Sequence, residues 1–539
     1  MSGFDAHLMI APIVLPLLTG AAILLIGADR QRAYRAGLNL LSTVVLIGIS
    51  IALLVRADAA PNGLAGVYRL GDWPAPFAIV LVADRLSTAM VLLTSVIAAA
   101  ATVFSLARWH RVGPHFHSLF QFLLMGLNGA FLTGDLFNLF VFFEVLLVAS
   151  YGLALHGGGA ARIKAGMHYV VVNLTASLLF LVGVSLIYGV TGTLNMADLA
   201  VRISQLEGTA RILMQAGVGV LAVAFLVKAA MWPLCFWLPS SYAVTSPPVA
   251  CIFAILTKVG VYVVLRLWLL LFAPEIGSEE QFGGQWLFIG GLATIAFGTI
   301  GCLAAHDMAR LTSYCVLVSS GTLLASVGMG EVSVTGGAIY YLASSTLGLA
   351  ALFLLVELAE RDREPGADMI ALTRELYGTD EALSGTEEEV EIAIAIPATL
   401  ALLGIAFLCA ALVVAGLPPL SGFIAKVGLL RSALNVGGAQ TVVPFASWAL
   451  VATLLVSGLV AIVALSRAGI RAFWSEPDRT IPRIGLVEFG PIVLLLVLCA
   501  AQTVAAGPVM RFAESTAQSL HSPQGYIRAV FDLGQGSRP

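Results

Sequence analysis

The feature of this 539-residue sequence that most constrains its fold is a succession of apolar stretches, each long enough to cross a lipid bilayer. A transmembrane helix needs about 20 such residues. Charged residues make up 11% of the chain, whereas soluble domains carry about 25%. We therefore expect an all-α, polytopic membrane protein with about fourteen transmembrane helices. The predicted helices cover residues 8–27, 36–55, 78–106, 117–133, 136–156, 168–190, 212–236, 241–271, 285–305, 309–328, 334–358, 391–436, 445–466 and 486–509.

The loops between these stretches indicate how the chain is oriented. The first stretch follows Asp5 and His7 rather than a basic segment, so we interpret it as a membrane helix and not as a cleaved signal. Placing the N terminus outside puts most loop Arg residues on the cytoplasmic side, as the positive-inside rule requires. We therefore expect a multi-pass protein of the cell inner (plasma) membrane, with both termini on the external or periplasmic side.

Lysine is used very selectively in this chain. Of its 28 basic residues only four are Lys, namely Lys164, Lys228, Lys258 and Lys426, and the last three fall inside predicted membrane helices. Arginine stays protonated under biological conditions, whereas a buried lysine can lose its proton near neutral pH. Ionisable residues within membrane segments usually mark an ion or proton path. The lysines therefore predict a proton-transfer path.

Glu144 is the main acidic residue within a predicted membrane helix. It lies about nine residues into the fifth helix, or about 13 Å along its axis, which is near the bilayer midplane. A nearby ammonium would hold such a carboxylate ionised, and we expect Lys228 to supply it. Protonation of Glu144 would then release Lys228 towards Lys258. The alternative is a static salt bridge that fixes helix packing.

Two of the lysines stand beside predicted helix breaks. Pro233 and Pro239 follow Lys228, and the twelfth stretch contains Pro418 and Pro419 before Lys426. Proline frees backbone carbonyls, which other protein groups or water must satisfy inside a membrane. Helices four to eight and nine to thirteen form two blocks of five, and broken helices 7 and 12 at matching positions suggest inverted repeats.

The helix pattern also predicts how the chain is divided. The predicted segments are an N-terminal three-helix segment (1–110), a first five-helix repeat (111–271), a second repeat (285–467) with a charged cytoplasmic insert (359–390), and a last helix with an interfacial tail (468–539). The insert and the tail are either solvated segments or surfaces that dock partner subunits. Tyr526, Ile527, Val530 and Phe531 have the spacing of an interfacial helix.

Other polar residues have simpler interpretations. We expect Asp84 and Arg85 to begin the third helix at the membrane interface, and Asp135 to cap or turn between helices four and five. A cytoplasmic loop and helix start are expected at His306, Asp307 and Arg310. A polar group in the eleventh helix lines a hydrated cavity or serves helix packing. Its members are Tyr340, Tyr341, Ser344, Ser345 and Thr346.

Several sequence motifs together resemble one family, the antiporter-like proteins that include the membrane-arm subunits of respiratory complex I. The motifs are FVFFEVLLVASYGL around Glu144, VKAAMWPLCFWLP, SPPVACIFAILTKVGVYVVLR, ARLTSYCVLVSSG and GLPPLSGFIAK. Within that family the chain is most similar to the D-type subunits of Mrp- or Pha-type multi-subunit monovalent cation/proton antiporters. The resemblance covers about residues 100–480.

The resemblance implies a function, partners and site residues. It implies fourteen helices, inverted repeats, and proton transfer through Glu144, Lys228, Lys258 and Lys426. It also implies a complex with A-, B-, C-, E-, F- and G-type subunits that exchanges Na⁺ or K⁺ for protons. Where many relatives carry histidines and a lysine in the eleventh helix, this chain has Ser344, Ser345 and Leu349. The connection between Lys258 and Lys426 then depends on water and hydroxyls, or is incomplete.

Two functions remain open from the sequence. The first is a proton-translocating subunit of a cation/proton antiporter, a secondary transporter without catalytic chemistry of its own. The second is a proton-pumping subunit of a redox-driven quinone oxidoreductase or membrane hydrogenase. No phosphate-binding loop, dinucleotide fingerprint or metal cluster is recognisable, so no cofactor is expected. The net charge of −3 argues against nucleic-acid binding.

Overall fold

The computed structural model describes residues 7–26, 32–73, 77, 79–113, 115–272, 283–361, 398–435, 443–473 and 484–532. These residues are nearly all helical, which confirms the all-α prediction. The helices are α1 Ala11–Leu25, α2 Arg32–Ala59, α3 Arg85–Ser105, α4 Phe116–Leu132, α5 Leu136–Ala154, α6 Ala160–Thr191, α7 Met196–Ile203, α8 Gly208–Lys228, α9 Trp237–Val244, α10 Pro247–Leu271, α11 Gly284–Ala304, α12 Met308–Gly328, α13 Val332–Glu360, α14 Ala398–Ala415, α15 Ser421–Ala433, α16 Phe445–Phe473, α17 Leu486–Val504, α18 Ala506–His521 and α19 Gln524–Asp532.

Many of these helices are suited to a bilayer. Within the described part of the chain, twelve are long and apolar enough to cross it, and α1 and α4 are shorter apolar helices. Each of the fourteen predicted stretches overlaps one of these fourteen helices. Large apolar side chains such as Leu455 and Leu459 are more than half exposed, as expected for surfaces that face lipid. The prediction of a polytopic membrane protein is confirmed.

A short β-hairpin precedes α3, which the sequence analysis did not predict. Strand β1 (Leu64–Arg69) pairs antiparallel with strand β2 (Val80–Asp84). The predicted third helix, 78–106, therefore began too early, because an apolar strand has the same hydropathy as the start of a membrane helix. The helix begins at Arg85, where the carboxylate of Asp84 accepts from Ser87 N at 2.8 Å and caps the first turn.

Both predicted helix breaks are present. Helix α8 ends at Lys228, and α9 begins at Trp237. The predicted seventh helix, 212–236, therefore ended too late. The predicted eighth helix, 241–271, began too early, because α10 starts at Pro247. Proline is favourable in the first turn, where a backbone N–H has no helical partner. The predicted twelfth helix is divided between α14 and α15.

Helices α10 and α13 form the centre of the bundle. Almost every residue of α10 is buried, and α13 is buried over most of its length. Small residues let neighbouring helices approach closely. At Gly291 of α11, for example, an added Cβ would lie 2.4 Å from Ala325 N of α12. Charged or polar side chains on α10 and α13 are therefore enclosed by protein rather than lipid.

The C-terminal tail folds back onto its own chain. Helix α18 packs against α13, and in α19 the side chains of Ile527 and Val530 are buried. The ring of Tyr526 lies over the guanidinium of Arg266 in α10. Most of the predicted insert, 359–390, lies outside the described residues, so its proposed docking role stays a prediction.

Candidate functional site

The break after α8 exposes backbone groups that other side chains satisfy. The carbonyl of Val227 accepts from the indole Nε1 of Trp237 at 3.2 Å, and Trp232 N donates to Thr294 Oγ1 at 2.8 Å. Ala230 has a positive φ of 54°, which is uncommon for a residue other than glycine. The chain thus turns sharply just after Lys228, and that turn fixes the position of its side chain.

Lys228 contacts helix α6 rather than an acid. Its Nζ lies 3.1 Å from Asn173 Oδ1 and 3.4 Å from Asn173 O. The ring of Phe143, next to Glu144 on α5, has its centroid 5.9 Å from Nζ. Asn173 is 1% exposed. The sequence analysis missed this asparagine, although a single amide in the middle of an apolar helix is itself a signal.

Glu144 approaches Lys228 without a direct bond. In the described part of the chain it forms no ion pair with Lys228, and its Oε1 is closed off from solvent without a hydrogen-bond partner. Phe143, the neighbour of Glu144, nevertheless lies against Lys228, so Glu144 is near enough for its charge to act on that ammonium. The static salt bridge, which was the alternative interpretation of this pair, is therefore not formed in the described residues, and Lys228 bonds Asn173 instead. The two groups remain electrostatic neighbours.

Lys258 lies in the middle of α10 and is completely buried. Its Nζ donates to Ser319 Oγ of α12 at 2.8 Å, and Ser319 Oγ donates to Ser345 Oγ of α13 at 3.0 Å. Gly260 lets α10 approach the break beyond Lys228, since an added Cβ would lie 2.5 Å from a backbone nitrogen there. A chain of hydroxyls therefore leads from Lys258 towards the second repeat.

A small cavity continues this chain of hydroxyls. It has a volume of about 20 Å³, and Ser319, Tyr341, Ser345 and Lys426 all line it. One water molecule needs about 10–15 Å³ and two to four polar partners. The cavity therefore has room for a water that bridges Ser345 and Lys426. The connection between Lys258 and Lys426 is the part of the path that the sequence left open. Leu349 lies on its apolar side.

Lys426 lies in α15, just beyond the second helix break. Its Nζ donates to Ala415 O, the last residue of α14, at 2.6 Å. Gly416 has a φ of 79°, and an added Cβ would lie 2.4 Å from Lys426 Cδ. The lysine stem thus occupies the space that the glycine leaves open. Lys228 lies just before the break between α8 and α9, whereas Lys426 lies just after the break between α14 and α15.

The polar group of α13 divides between the two interpretations left open. Tyr341 and Ser345 line the cavity. Tyr340 donates to Gln502 O at 2.9 Å, and Ser344 bonds Ser421 at 2.7 Å. Thr346 donates to a carbonyl of its own helix. Only two of the five residues therefore belong to the candidate path, whereas Tyr340 and Ser344 link α13 to α17 and α15 and Thr346 bonds within its own helix.

Two acids at helix starts are capping residues, where a cap or turn was predicted at Asp135 and a helix start at Asp307. Asp135 accepts from Asn138 N at 2.9 Å, and Asp307 accepts from Arg310 N at 2.5 Å. Burial raises the pKa of Asp135 above its usual value. Asp84 differs from expectation, because besides capping α3 it forms an ion pair with Arg266. Among the described residues, no three His, Cys, Asp or Glu side chains lie close enough to hold a metal ion.

Comparisons with known proteins place the chain in a family. The model of the family described as NADH:quinone oxidoreductase/Mrp antiporter, transmembrane, matches residues 133–453. A probable K⁺/H⁺ antiporter D-type subunit of Rhizobium meliloti is 54% identical over 534 residues, which are 98% of each chain. A Na⁺/H⁺ antiporter D-type subunit of Alkalihalophilus pseudofirmus is 35% identical over 97% of this chain and 99% of that one.

Solved structures show the same relationship. A chain of the Mrp complex from Dietzia sp. has a TM-score of 0.82 and 25% identity, over 98% of this chain and 100% of that one. A chain of respiratory complex I from Thermus thermophilus has a TM-score of 0.74 at 23% identity, over 95% and 99%, which shows a shared fold. The chain therefore belongs to the NADH:quinone oxidoreductase/Mrp antiporter transmembrane family, among the D-type antiporter subunits.

Proposed function

We propose that this chain is the proton-translocating subunit of a multi-subunit Na⁺(K⁺)/H⁺ antiporter complex. The observation that carries the proposal is the connection of Lys258 to Lys426 through Ser319, Ser345 and a water-sized cavity. The relatives matched over nearly their whole length are antiporter subunits, which favours antiport over a redox-driven pump. The chain is a transporter subunit with no catalytic chemistry of its own.

The first step of the proposed relay involves Glu144 and Lys228. A carboxylate near an ammonium stabilises its charge strongly when water is excluded. When Glu144 takes up a proton, Lys228 keeps only the neutral oxygens of Asn173 as partners. Its ammonium is then less stable, and the proton moves towards Lys258. Because Glu144 and Lys228 form no direct bond, protonation of Glu144 can change the stability of the Lys228 ammonium without first breaking an ion pair.

The second step passes between the repeats. A serine hydroxyl accepts one proton and donates another, so it transfers a proton without storing it. Lys258 gives a proton to Ser319, Ser319 gives its own to Ser345, and Ser345 gives its own to a water in the cavity. That water passes a proton to the neutral amine of Lys426. Each hydroxyl must then rotate before the next transfer. Ala415 O at the end of α14 stabilises the ammonium formed on Lys426.

The proposal includes the setting of this relay. The two broken helices suggest inverted repeats at 111–271 and 285–467, between an N-terminal segment (1–110) and a last helix with its tail (468–539). The chain works with A-, B-, C-, E-, F- and G-type subunits in the cell inner membrane, with both termini on the external side. Exchange of Na⁺ or K⁺ for protons is the activity of the complex.

Replacing Glu144 or Lys228 tests the relay. Everted vesicles that contain the whole complex are energised, Na⁺ or K⁺ is added, and the collapse of the pH gradient is followed with a fluorescent dye. Glu144→Gln and Lys228→Met should abolish exchange, while Lys164→Met, an exposed control, should retain it. Isolation of the complex through a tagged partner subunit checks assembly. Normal exchange by assembled Glu144→Gln or Lys228→Met complexes would reject the proposed function.

A further inference from the structure

A second polar face of α10 leads away from the relay. Lys258, Tyr262 and Arg266 are spaced four residues apart, so they lie above one another on one side of the helix. All three are buried, with exposed fractions of 0%, 3% and 7%. This face runs from the relay lysine to the end of α10 on the side of the membrane where α19 lies.

Arg266 is held rigidly at the outer end of this face. Its guanidinium donates to both carboxylate oxygens of Asp84, with a distance of 2.8 Å from one nitrogen to Oδ1. Asp84 Oδ1 also accepts from Ser87 N. The guanidinium lies between the rings of Tyr262 and Tyr526, 5.4 Å and 5.5 Å from their centroids. Such contacts stabilise a desolvated cation.

The hydrogen bonds along this face are all donated in one direction, away from Arg266, and the last acceptor is a backbone carbonyl. Arg266 donates to the hydroxyl of Tyr262 at 3.1 Å, and that hydroxyl donates its one proton to Phe131 O at 2.5 Å. A backbone carbonyl accepts a hydrogen bond but has no proton to pass on. Arginine does not give up its proton. While Arg266 donates to the Tyr262 hydroxyl, that hydroxyl directs its own proton at Phe131 O, and the hydrogen-bonded chain does not conduct protons.

Water has space on the far side of Arg266. A cavity of about 40 Å³ is lined by Asp84, Arg266 and Tyr526, together with Asn62, Ser519 and Ser522. This volume exceeds what one water needs, and six of the twelve residues that line it are polar. Arg266 thus stands between a site suited to water and the face that leads to Lys258.

We propose that Arg266 is an electrostatic seal that keeps protons in this outer cavity from reaching Lys258 along α10. This inference rests on the proposed function, since a relay that conducts sideways must not leak to one side. A fixed positive charge in a narrow hydrated path repels protons. Arg266 acts by position and charge, and it is not itself a member of the relay. The simpler alternative is an ion pair that only ties α3 to α10.

A charge-neutral double variant separates these possibilities. Asp84→Asn with Arg266→Met removes both charges, so that neither is left buried without its partner, and asparagine still caps α3. The assay is the passive decay of an imposed pH gradient in vesicles that contain the assembled complex, without Na⁺ or K⁺. We expect decay about tenfold faster than wild type, which corresponds to a barrier lower by about 1.4 kcal/mol.

Controls identify the cause of such a leak. Asp198→Asn with Arg202→Met removes an ion pair on α7 and should leave the decay unchanged. Tyr262→Phe keeps the guanidinium and should remain sealed, as should Arg266→Lys. Adding Lys258→Met to the Asp84→Asn, Arg266→Met variant should abolish the extra leak, because the path then has no acceptor.

Two outcomes would overturn the seal. One is wild-type decay in the assembled double variant. The other is a leak that admits K⁺ along with protons, which indicates loosened packing. Exchange by the Glu144 and Lys228 variants is measured in parallel. Retained exchange there contradicts the proposed function, whereas an unchanged leak contradicts only the role of Arg266.

Discussion

The amine of Lys258 donates to the hydroxyl of Ser319 at 2.8 Å, across the boundary between α10 and α12. Lys228 and Lys426 likewise bond to neutral oxygens. In the described part of the chain, none of these three lysines forms an ion pair. A lysine that bonds to neutral oxygens loses less on deprotonation than one locked to a carboxylate. The bonding of all three therefore suits reversible proton transfer.

Ser319→Ala tests the hydroxyl chain. A hydrogen bond to a charged group contributes about 1.5–3 kcal/mol, so exchange should slow about 10- to 100-fold. Ser319→Thr keeps a hydroxyl and should retain most activity. Ser326→Ala on the same helix removes a hydroxyl that bonds only a carbonyl of its own helix and should have little effect. Equal rates in the Ser319→Ala and Ser326→Ala complexes would exclude the chain.

Replacing Lys258 or Lys426 with arginine tests deprotonation directly. Arginine keeps the positive charge but cannot release a proton, so each variant should assemble and fail to exchange cations for protons. Lys164→Arg should behave as wild type, because that residue is exposed. The measurement is the collapse of the pH gradient in everted vesicles on addition of Na⁺ or K⁺. Active arginine variants would mean that charge alone is required.

Gly416→Ala should displace Lys426. Its φ of 79° disfavours any side chain by about 1–2 kcal/mol, and the added Cβ would lie 2.4 Å from Lys426 Cδ. We expect lower thermal stability of the isolated complex and loss of most exchange. Gly404→Ala on α14 is the matched control, since nothing lies within 4 Å of its added Cβ. If both variants behave alike, the close contact has no functional consequence.

Acid should loosen the C-terminal helices. His521 of α18 bonds Thr335 Oγ1 at 3.0 Å, and burial lowers the pKa of His521 from 6.5 to about 4. The detached segment then binds a proton that the docked segment does not. Docking is therefore strongest above about pH 6.5 and weakens as the pH falls towards 4. The protection factors of the α18 amides, which correct hydrogen–deuterium exchange for the pH dependence of its intrinsic rate, should fall over this interval, and His521→Gln should reduce the fall.

Hydropathy and residue type predicted much of this molecule. The apolar stretches gave the membrane helices because every span must be apolar for about 20 residues. Pro233 and Pro419 predicted the two breaks because proline lacks the N–H that a helix needs. The cap or turn at Asp135 and the helix start at Asp307 followed from local side-chain chemistry alone.

The pairings between distant residues were not predictable in this way. Asn173 is 55 residues from Lys228, and Asp84 is 182 residues from Arg266. Hydropathy reports what each residue prefers but not which helix lies beside it, so the amide of Asn173 beside Lys228 was not predicted. The hairpin was missed because Val80–Ala83 are buried apolar residues whose hydropathy fits strand and helix equally well.

The serines between Lys258 and Lys426 have a consequence for timing. At neutral pH a hydroxyl can neither hold an extra proton nor lack one for long. The serines therefore cannot store a proton between the two repeats. A proton that leaves one lysine must reach the other in the same event. The lysines of the two repeats would then change their protonation states together, and neither repeat could complete its change before the other.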